Sequence, residues 1–345
     1  MGTAAVLPQL PPARGPLSGQ LVDLLRSGPD TPVRAGAAPA GAHDAWGEDV
    51  QLALYLCYEL HYRGFQEVDP ETEWDPRVLE LRRPLEQGFL DAVRDALGTV
   101  PSLDDQLEAL LIEPVHGTGP SYHLLERGQR WQAREYLVQR SLYHLKEADP
   151  QAWAIPRLHG AAQAALVAIE YDEYGAGHPE RVHSRLFADM MADLDLDPSY
   201  GRYLPLTPAP ALAVVNLMSL FGLHRALRGA LVGQFAAVEI TSSPGSERLA
   251  TALEGLGAGS AGTAFYREHV EADAVHEQVV RHGVIGALLE DEPALEADIA
   301  FGLAAAALVE DRLASHLLAC WDANRSSLLA PLRDAPRGVG SGRGR

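Results

Sequence analysis

Runs longer than four residues that alternate apolar and polar side chains are essentially absent from this sequence, whereas apolar residues recur every three to four positions almost throughout. Such a chain can bury its apolar surface as helices and has little from which to build a sheet. In Trp46–Arg63 the apolar positions Leu52, Leu56 and Leu60 run beside Val50, Leu54 and Cys57, which suits a period of 3.6. The same pattern predicts helices over Pro84–Leu97, Leu103–Ile112, Gly128–Lys146, Ile155–Tyr174 and His183–Leu194. Others are predicted over Pro210–Ser242, Ser246–Leu256, Ala264–His282 and Leu295–Ala323. No fixed-period repeat is visible. The expected fold class is all-α, with one helical bundle over residues 44–330. Residues 1–43 are rich in Pro, Ala and Gly and are expected to be disordered. Residues 331–345 are expected to form a flexible Gly/Arg-rich tail.

The formal net charge is −19, from 47 acidic and 28 basic residues. That balance argues against general affinity for nucleic acid or anionic lipid, both of which need a positive surface. The two cysteines, Cys57 and Cys320, form no CxxC and lie in apolar stretches, so neither a disulfide framework nor a thiolate zinc site is indicated. A reducing cytoplasm fits, and the first residues lack a basic segment followed by an apolar run, so no signal peptide is expected. The most apolar stretch, Pro210–Glu239, is interrupted by Asn216, His224, Arg225, Arg228 and Gln234. A membrane span needs roughly 20 nearly uninterrupted apolar residues, so this stretch reads as a buried core helix and no membrane partner is expected.

Chemistry concentrates in three places. His269, Asp273 and His276 stand at i, i+4 and i+7, within about a 60° arc of one helix face. Two imidazoles around one carboxylate suit a metal such as Fe(II), although flanking Glu268, Glu271 and Glu277 would equally suit an exposed face. Glu239 ends the most apolar stretch, and a carboxylate taken out of water must be paired, protonated or metal-bound. Arg225 and Arg228 are possible partners, but neither sits at i−3 or i−4. Glu173 ends a helix of small apolar residues, Gly175, Gly177 and Pro179 break it, and His183 opens the next element. The break can bring Glu173 and His183 to one point. Glu170 and Asp172 compete with Glu173, at about 300° and 100° around the helix.

The run from Asp172 through Gly175 and Gly177 to His183, Leu186 and Phe187, followed by Glu239 and then His269, Asp273 and His276, resembles the heme-oxygenase-like diiron oxidase/oxygenase superfamily. It is most similar to the bacterial iron-containing redox enzyme branch, over roughly residues 130–320. In an N-oxygenase of that branch a further glutamate ligand precedes the first cluster by one helix length, which falls on Glu147; Glu135 is its rival. The resemblance implies a heme-oxygenase-like bundle in which Glu147, Glu173, His183, Glu239, His269, Asp273 and His276 hold two Fe(II) ions. Four carboxylate charges would match two divalent cations. It implies O2 as co-substrate and an external electron donor that the sequence does not identify. A small metabolite, such as an amine or amino-acid derivative, would be oxidised by N-oxygenation or at a C–H or C–C bond. The resemblance leaves a homodimer open.

Other features carry less. Glu113 and His116 imitate an ExxH ligand pair, but Pro114 places them in a loop. His144 and His159 are candidates for orienting a ligand, with core or surface roles as the alternative. His224 and His316, on apolar helices, are expected to bond backbone carbonyls. Tyr171, Tyr174, Phe187 and Tyr266 could line a substrate pocket or simply pack. Gly255-x-Gly257-x-Gly259 follows no strand and fails the dinucleotide fingerprint. Two other readings compete: a heme-oxygenase-like fold using no diiron centre, and a noncatalytic helical protein that stores iron or serves as a scaffold.

Overall fold

The computed structural model describes residues 7–28, 43–113 and 116–332. Among these there is no strand. The helices in chain order are α1 (Pro16–Ser27), α2 (Glu48–Glu59), α3 (Pro76–Leu97), α4 (Leu103–Leu110), α5 (Pro120–Arg127), α6 (Arg130–His144) and α7 (Asp149–Ala152). They continue as α8 (Gly160–Glu173), α9 (His183–Asp193), α10 (Ala209–Leu223), α11 (Arg228–Gly255), α12 (Ser260–Gln278), α13 (Ala287–Asp291) and α14 (Glu296–Asp322).

The centre of the bundle is α11, which packs along both α12 and α14. Its first turns are buried nearly all round, through Leu231, Val232, Phe235 and Ala236. The close approach of α14 is made by glycine. A β-carbon at Gly233 or Gly302 would collide with a backbone carbonyl of the facing helix, at Ile299 and Ala230 respectively. α9 lies against α12, and α2 lies between α1 and α10. The π-helical segment Val279–Gly286 continues α12 and packs on α8. Wide π turns are rare and recur beside functional sites.

Several elements differ from the sequence-based expectation. Residues 16–27 are not disordered: α1 buries Leu17, Leu21, Leu24 and Leu25. These recur at helical spacing, and the surrounding Pro and Gly masked the pattern. Residues 1–6, 29–42 and 333–345 lie outside the described residues. Pro210–Ser242 is two helices, because the chain bends by 107° between α10 and α11, at His224–Leu227. The expected break between Ser242 and Ser246 is absent. α11 runs through Pro244 to Gly255 because its far half, including Ser246, Leu249 and Leu253, is still buried. α3 likewise begins earlier than Pro84, at Pro76, where the Asp75 side chain caps the helix by accepting from Arg77 N–H. No single described helix is long and apolar enough to cross a membrane, although the bent pair α10–α11 would be by length and composition.

Candidate metal centre

Seven residues distant in sequence converge from α6, α8, α9, α11 and α12. Glu147 sits in the turn after α6, Glu173 ends α8, His183 opens α9, Glu239 is two-fifths along α11, and His269, Asp273 and His276 face inward from α12. They form two groups, Glu147–Glu173–His183–His269 and Glu173–Glu239–Asp273–His276. Within each group the donor atoms all lie within 4.8 Å of one another, and all seven residues are buried. Glu173 belongs to both groups.

Local structure explains the convergence. After Glu173 the backbone turns sharply at Gly175 (φ +82), where a β-carbon would meet the Val182 backbone nitrogen at 2.7 Å. Only glycine lets the chain return so closely, and the return sets His183 Nδ1 2.8 Å from Glu173 Oε2. The turn holding Glu147 includes Ala148 at φ 73, a left-handed conformation that costs a non-glycine residue about 1–3 kcal/mol. Neighbours pin this turn. Arg63 donates to Leu145 O at 3.0 Å, and the buried Lys146 ammonium meets Glu59 at 2.9 Å, where Tyr200 also donates.

The polar bonding leaves donor electrons facing inward. His269 Nδ1 lies 2.7 Å from the Phe265 carbonyl, so that nitrogen carries a proton and Nε2, 3.7 Å from Glu147, is the atom that faces the cluster. His276 Nδ1 faces Glu239 at 3.1 Å, Asp273 at 3.5 Å and Glu173 at 3.6 Å. Its Nε2 meets Asp172 at 3.3 Å on the outer side. Glu147 Oε2, His183 Nδ1 and Asp273 Oδ2 are buried with no hydrogen-bond partner. His183 Nδ1 therefore sits close to Glu173 without hydrogen-bond alignment. Buried polar atoms left unpaired are costly, and here they cluster in one place, as donors awaiting a cation do. Carboxylates with imidazoles and no thiolate suit iron, while Cys57 and Cys320 are buried elsewhere.

Taken as protein groups alone, the cluster accommodates its charge with protons. Burial, reinforced by Asp273 and Glu173 and opposed by His276, raises the Glu239 carboxyl to about 8. Burial beside Glu173 and Glu239 raises Glu170 to about 9. Burial would lower His276, but Asp273, Glu239 and Glu173 outweigh it and raise the imidazole to about 11. His269 is likewise raised, by Glu147 above all, against its burial. Burial pushes Glu147 up, yet His144 and His269 hold it well below the ordinary carboxylate range.

Three neighbours not singled out as ligands from sequence lie beside the cluster. His144 Nδ1 bonds Glu147 Oε1 at 2.6 Å, and Asp172 orients His276. Glu170 is 2 % exposed with both oxygens unpartnered. A rotation of 300° is only 60° in the other direction, so Glu170 shares the inward side of α8 with Glu173. The remaining candidates fall away. Glu135 accepts from Ser326 and Ser327 and so secures the chain after α14. Arg228 pairs with Glu292, not Glu239. Glu113 is taken by Tyr122 and Arg248, with Pro114 and Val115 outside the described residues. His159 is exposed beside Asp291 and Glu292. His316 does bond a carbonyl, that of Ser327, but His224 instead meets the Glu86 carboxylate at 3.0 Å.

A cavity of about 490 Å3 opens against the cluster, touching Glu147, Glu173, Glu239, His269 and Asp273. Tyr266 lines it. Phe187 packs behind His144, and Tyr171 and Tyr174 are exposed, so these three do not.

The chain is 27% identical over 209 residues to nitrosourea synthase of Streptomyces achromogenes subsp. streptozoticus, covering 59% of this chain and 44% of that protein. The chain thus spans less than half the length of that curated relative. A family model described as "iron-containing redox enzyme" matches residues 134–311, which include both donor groups. That match takes in just over half of the chain, so this protein, of heme-oxygenase-like all-α fold, belongs to the iron-containing redox enzyme family.

Proposed function

We propose that the protein is a nonheme diiron oxidase or oxygenase that uses O2 to oxidise a small metabolite. The observation that carries this reading is the pair of four-donor groups sharing Glu173 beside a cavity of small-molecule size. Glu147, His183 and His269 would hold one iron, Glu239, Asp273 and His276 the other, with Glu173 between them. Four carboxylate charges balance two Fe(II) ions, and the imidazoles bind as neutral donors. Iron bound there supplies the redox chemistry that activates O2.

The chain's own residues supply orientation and proton control. The Phe265 carbonyl fixes the tautomer of His269, Asp172 fixes the ring of His276, and His144 steadies Glu147. Glu170 holds a proton on its carboxyl beside Glu173 and Glu239, within the buried side of the site. A nitrosourea carries oxygen on nitrogen, so the likeness to nitrosourea synthase favours oxidation at nitrogen over C–H or C–C oxidation. Anaerobic titration with Fe(II), followed by Mössbauer spectroscopy, tests the reading. Saturation near two irons per chain in one coupled site is expected. Tight binding of a single zinc with no affinity for iron would overturn it.

A further inference from the structure

The donor cluster is reached from two cavities that share no lining residue. The larger one has a mostly apolar wall, through Phe235, Val238, Leu249, Leu303 and Ala306. The second, of about 280 Å3, is built differently. Asp172, Glu268 and Glu271 line it together with Arg181 and His183, and every other lining residue is glycine or alanine. His183 is 2 % exposed, and its Nδ1 has no hydrogen-bond partner. It is thus a buried donor of the cluster and part of this cavity's wall at once. Asp172 makes a second link. Its half-exposed carboxylate places Oδ2 3.3 Å from His276 Nε2, while Nδ1 of the same ring faces Glu239 and Asp273.

We infer that this second cavity is the route by which a divalent cation enters the donor cluster, which leaves the larger cavity to the organic substrate. The inference rests on the cluster holding a metal, though not on its holding two irons. A hydrated divalent ion that crossed an apolar wall would shed water with no oxygen to replace it, which is costly. Among Asp172, Glu268 and Glu271 it exchanges water for carboxylate oxygen in steps. Three carboxylates against one guanidinium also give the passage a negative field, which concentrates cations at its mouth.

Two further features fit a passage. Gly175, whose tight return sets His183 beside Glu173, lines the same cavity, so the turn that builds this donor pair also leaves the opening next to it. Arg181, from the chain between α8 and α9, donates to Glu268 of α12 at 2.6 Å. An incoming cation competes with that guanidinium for Glu268, so Arg181 restrains entry and its removal speeds it.

Uptake kinetics test the route without turnover. Chelator-treated protein is mixed anaerobically with Fe(II) or Co(II), and free ion is trapped at set times with a chromogenic chelator, which gives both the rate and the final stoichiometry. The double variant Glu268→Gln with Glu271→Gln should take up ion at least about fivefold more slowly than the wild type at low salt, and the gap should close at about 1 M salt. Arg181→Gln should take it up about twofold faster. Asp91→Asn with Asp95→Asn removes the same charge from the exposed face of α3 and should keep the wild-type rate. Bulk separates the two cavities. Ala272→Phe should slow uptake at every salt concentration, whereas Ala307→Phe, at an exposed position lining the larger cavity, should not. Final stoichiometry should stay at the wild-type value throughout. A wild-type rate in the Glu268 and Glu271 double variant, equal slowing by the α3 control, or slowing by Ala307→Phe in place of Ala272→Phe would overturn the route. So would a loss of stoichiometry without a loss of rate, which would make these acids part of the binding site itself. Uptake of Co(II) through the same residues by a chain that takes no iron would sink the diiron reading and leave the route standing, and no uptake of either ion would sink both.

Discussion

Glu147, Glu170, Glu173, Glu239 and Asp273 share one buried region with three imidazoles, and the protons they hold have a measurable consequence. Glu239 at about 8 and His276 at about 11 are both protonated near pH 7. A divalent ion bound by these two groups must displace both protons. Affinity should therefore rise with pH, by roughly a hundredfold per unit between pH 6.5 and 7.5 if two protons leave. Anaerobic Fe(II) titrations across that window, with calorimetry in two buffers of different ionisation heat, count the protons; a flat profile would remove Glu239 and His276 from the ligand set. The metal-free chain should respond in the opposite sense. A folded-state pKa raised above the unfolded value adds stability below the unfolded value and loses it as pH climbs through the folded one. The Glu239 contribution thus fades between about pH 4.5 and 8. Substitution distinguishes shared from unshared donors. Glu147→Ala removes a donor from one group and should lose one iron of two, whereas Glu173→Ala removes the donor common to both and should weaken both irons. Iron analysis with Mössbauer spectra on the two variants checks this, and full occupancy in Glu147→Ala would refute its role. His183, Glu239, His269, Asp273 and His276 were legible as candidates, with Glu173 among three neighbouring carboxylates, because metal chemistry needs particular residue types at workable spacing; Glu147 came only through the family resemblance. His144 was legible only as one of two candidates for orienting a ligand, and Asp172 and Glu170 only as competitors of Glu173, because contacts between α6, α8 and α12 have no local sequence signature.

Helices place these groups only because two kinds of backbone feature let them approach. One is the return at Gly175, which the sequence showed as a Gly/Pro-rich break. The other is the contact of α11 with α14 through Gly233 and Gly302, which periodicity cannot reveal, since a glycine in an apolar helix looks the same whether or not a backbone lies against it. Element types were readable because apolar residues repeat at helical spacing. Boundaries were less so: burial carried α11 across Pro244, and the 107° bend at His224–Leu227 has no stronger signal than a few polar residues. The glycine contact makes a prediction that joins packing to chemistry. Gly302→Ala forces a methyl group into the Ala230 backbone, and overpacking of this kind typically costs about 1–3 kcal/mol. Moving α11 also moves Glu239, nine residues beyond Ala230 on the same helix. The variant should therefore unfold at lower denaturant and bind the iron of the Glu239 group more weakly. Gly286→Ala has room for its methyl group, its nearest contact being 3.5 Å, and serves as the control. Equal stability in the two variants would show that α14 can slide away from α11 without consequence.

At the scale of the whole molecule, the described part of the segment expected to be disordered, residues 7–28, is tied to the core. Arg14 bonds Glu48 at 2.7 Å and the Leu204 carbonyl at 2.8 Å, while the Leu17 and Ser18 backbone N–H groups and the Ser18 hydroxyl donate to Asp49. Glu48 also accepts from Ala209 N–H and so helps start α10. These contacts load onto α2, whose last residue, Glu59, holds Lys146 beside Glu147. The N-terminal helix is thereby linked mechanically to the turn that carries a proposed ligand. Deleting residues 1–28 would expose the core surface covered by Leu17, Leu21, Leu24 and Leu25, each of which contributes about 1.5–3 kcal/mol when fully buried. The expected result is a melting temperature lower by at least about 5 °C. It should come with reduced iron at the Glu147 group and little change at the Glu239 group, which α11 and α12 hold independently of α2. Calorimetry and Mössbauer area on the truncated chain measure both effects. A melting temperature within about 1 °C of the intact chain, with full iron, would make α1 an appendage and confine the fold to the helices from α2 onward.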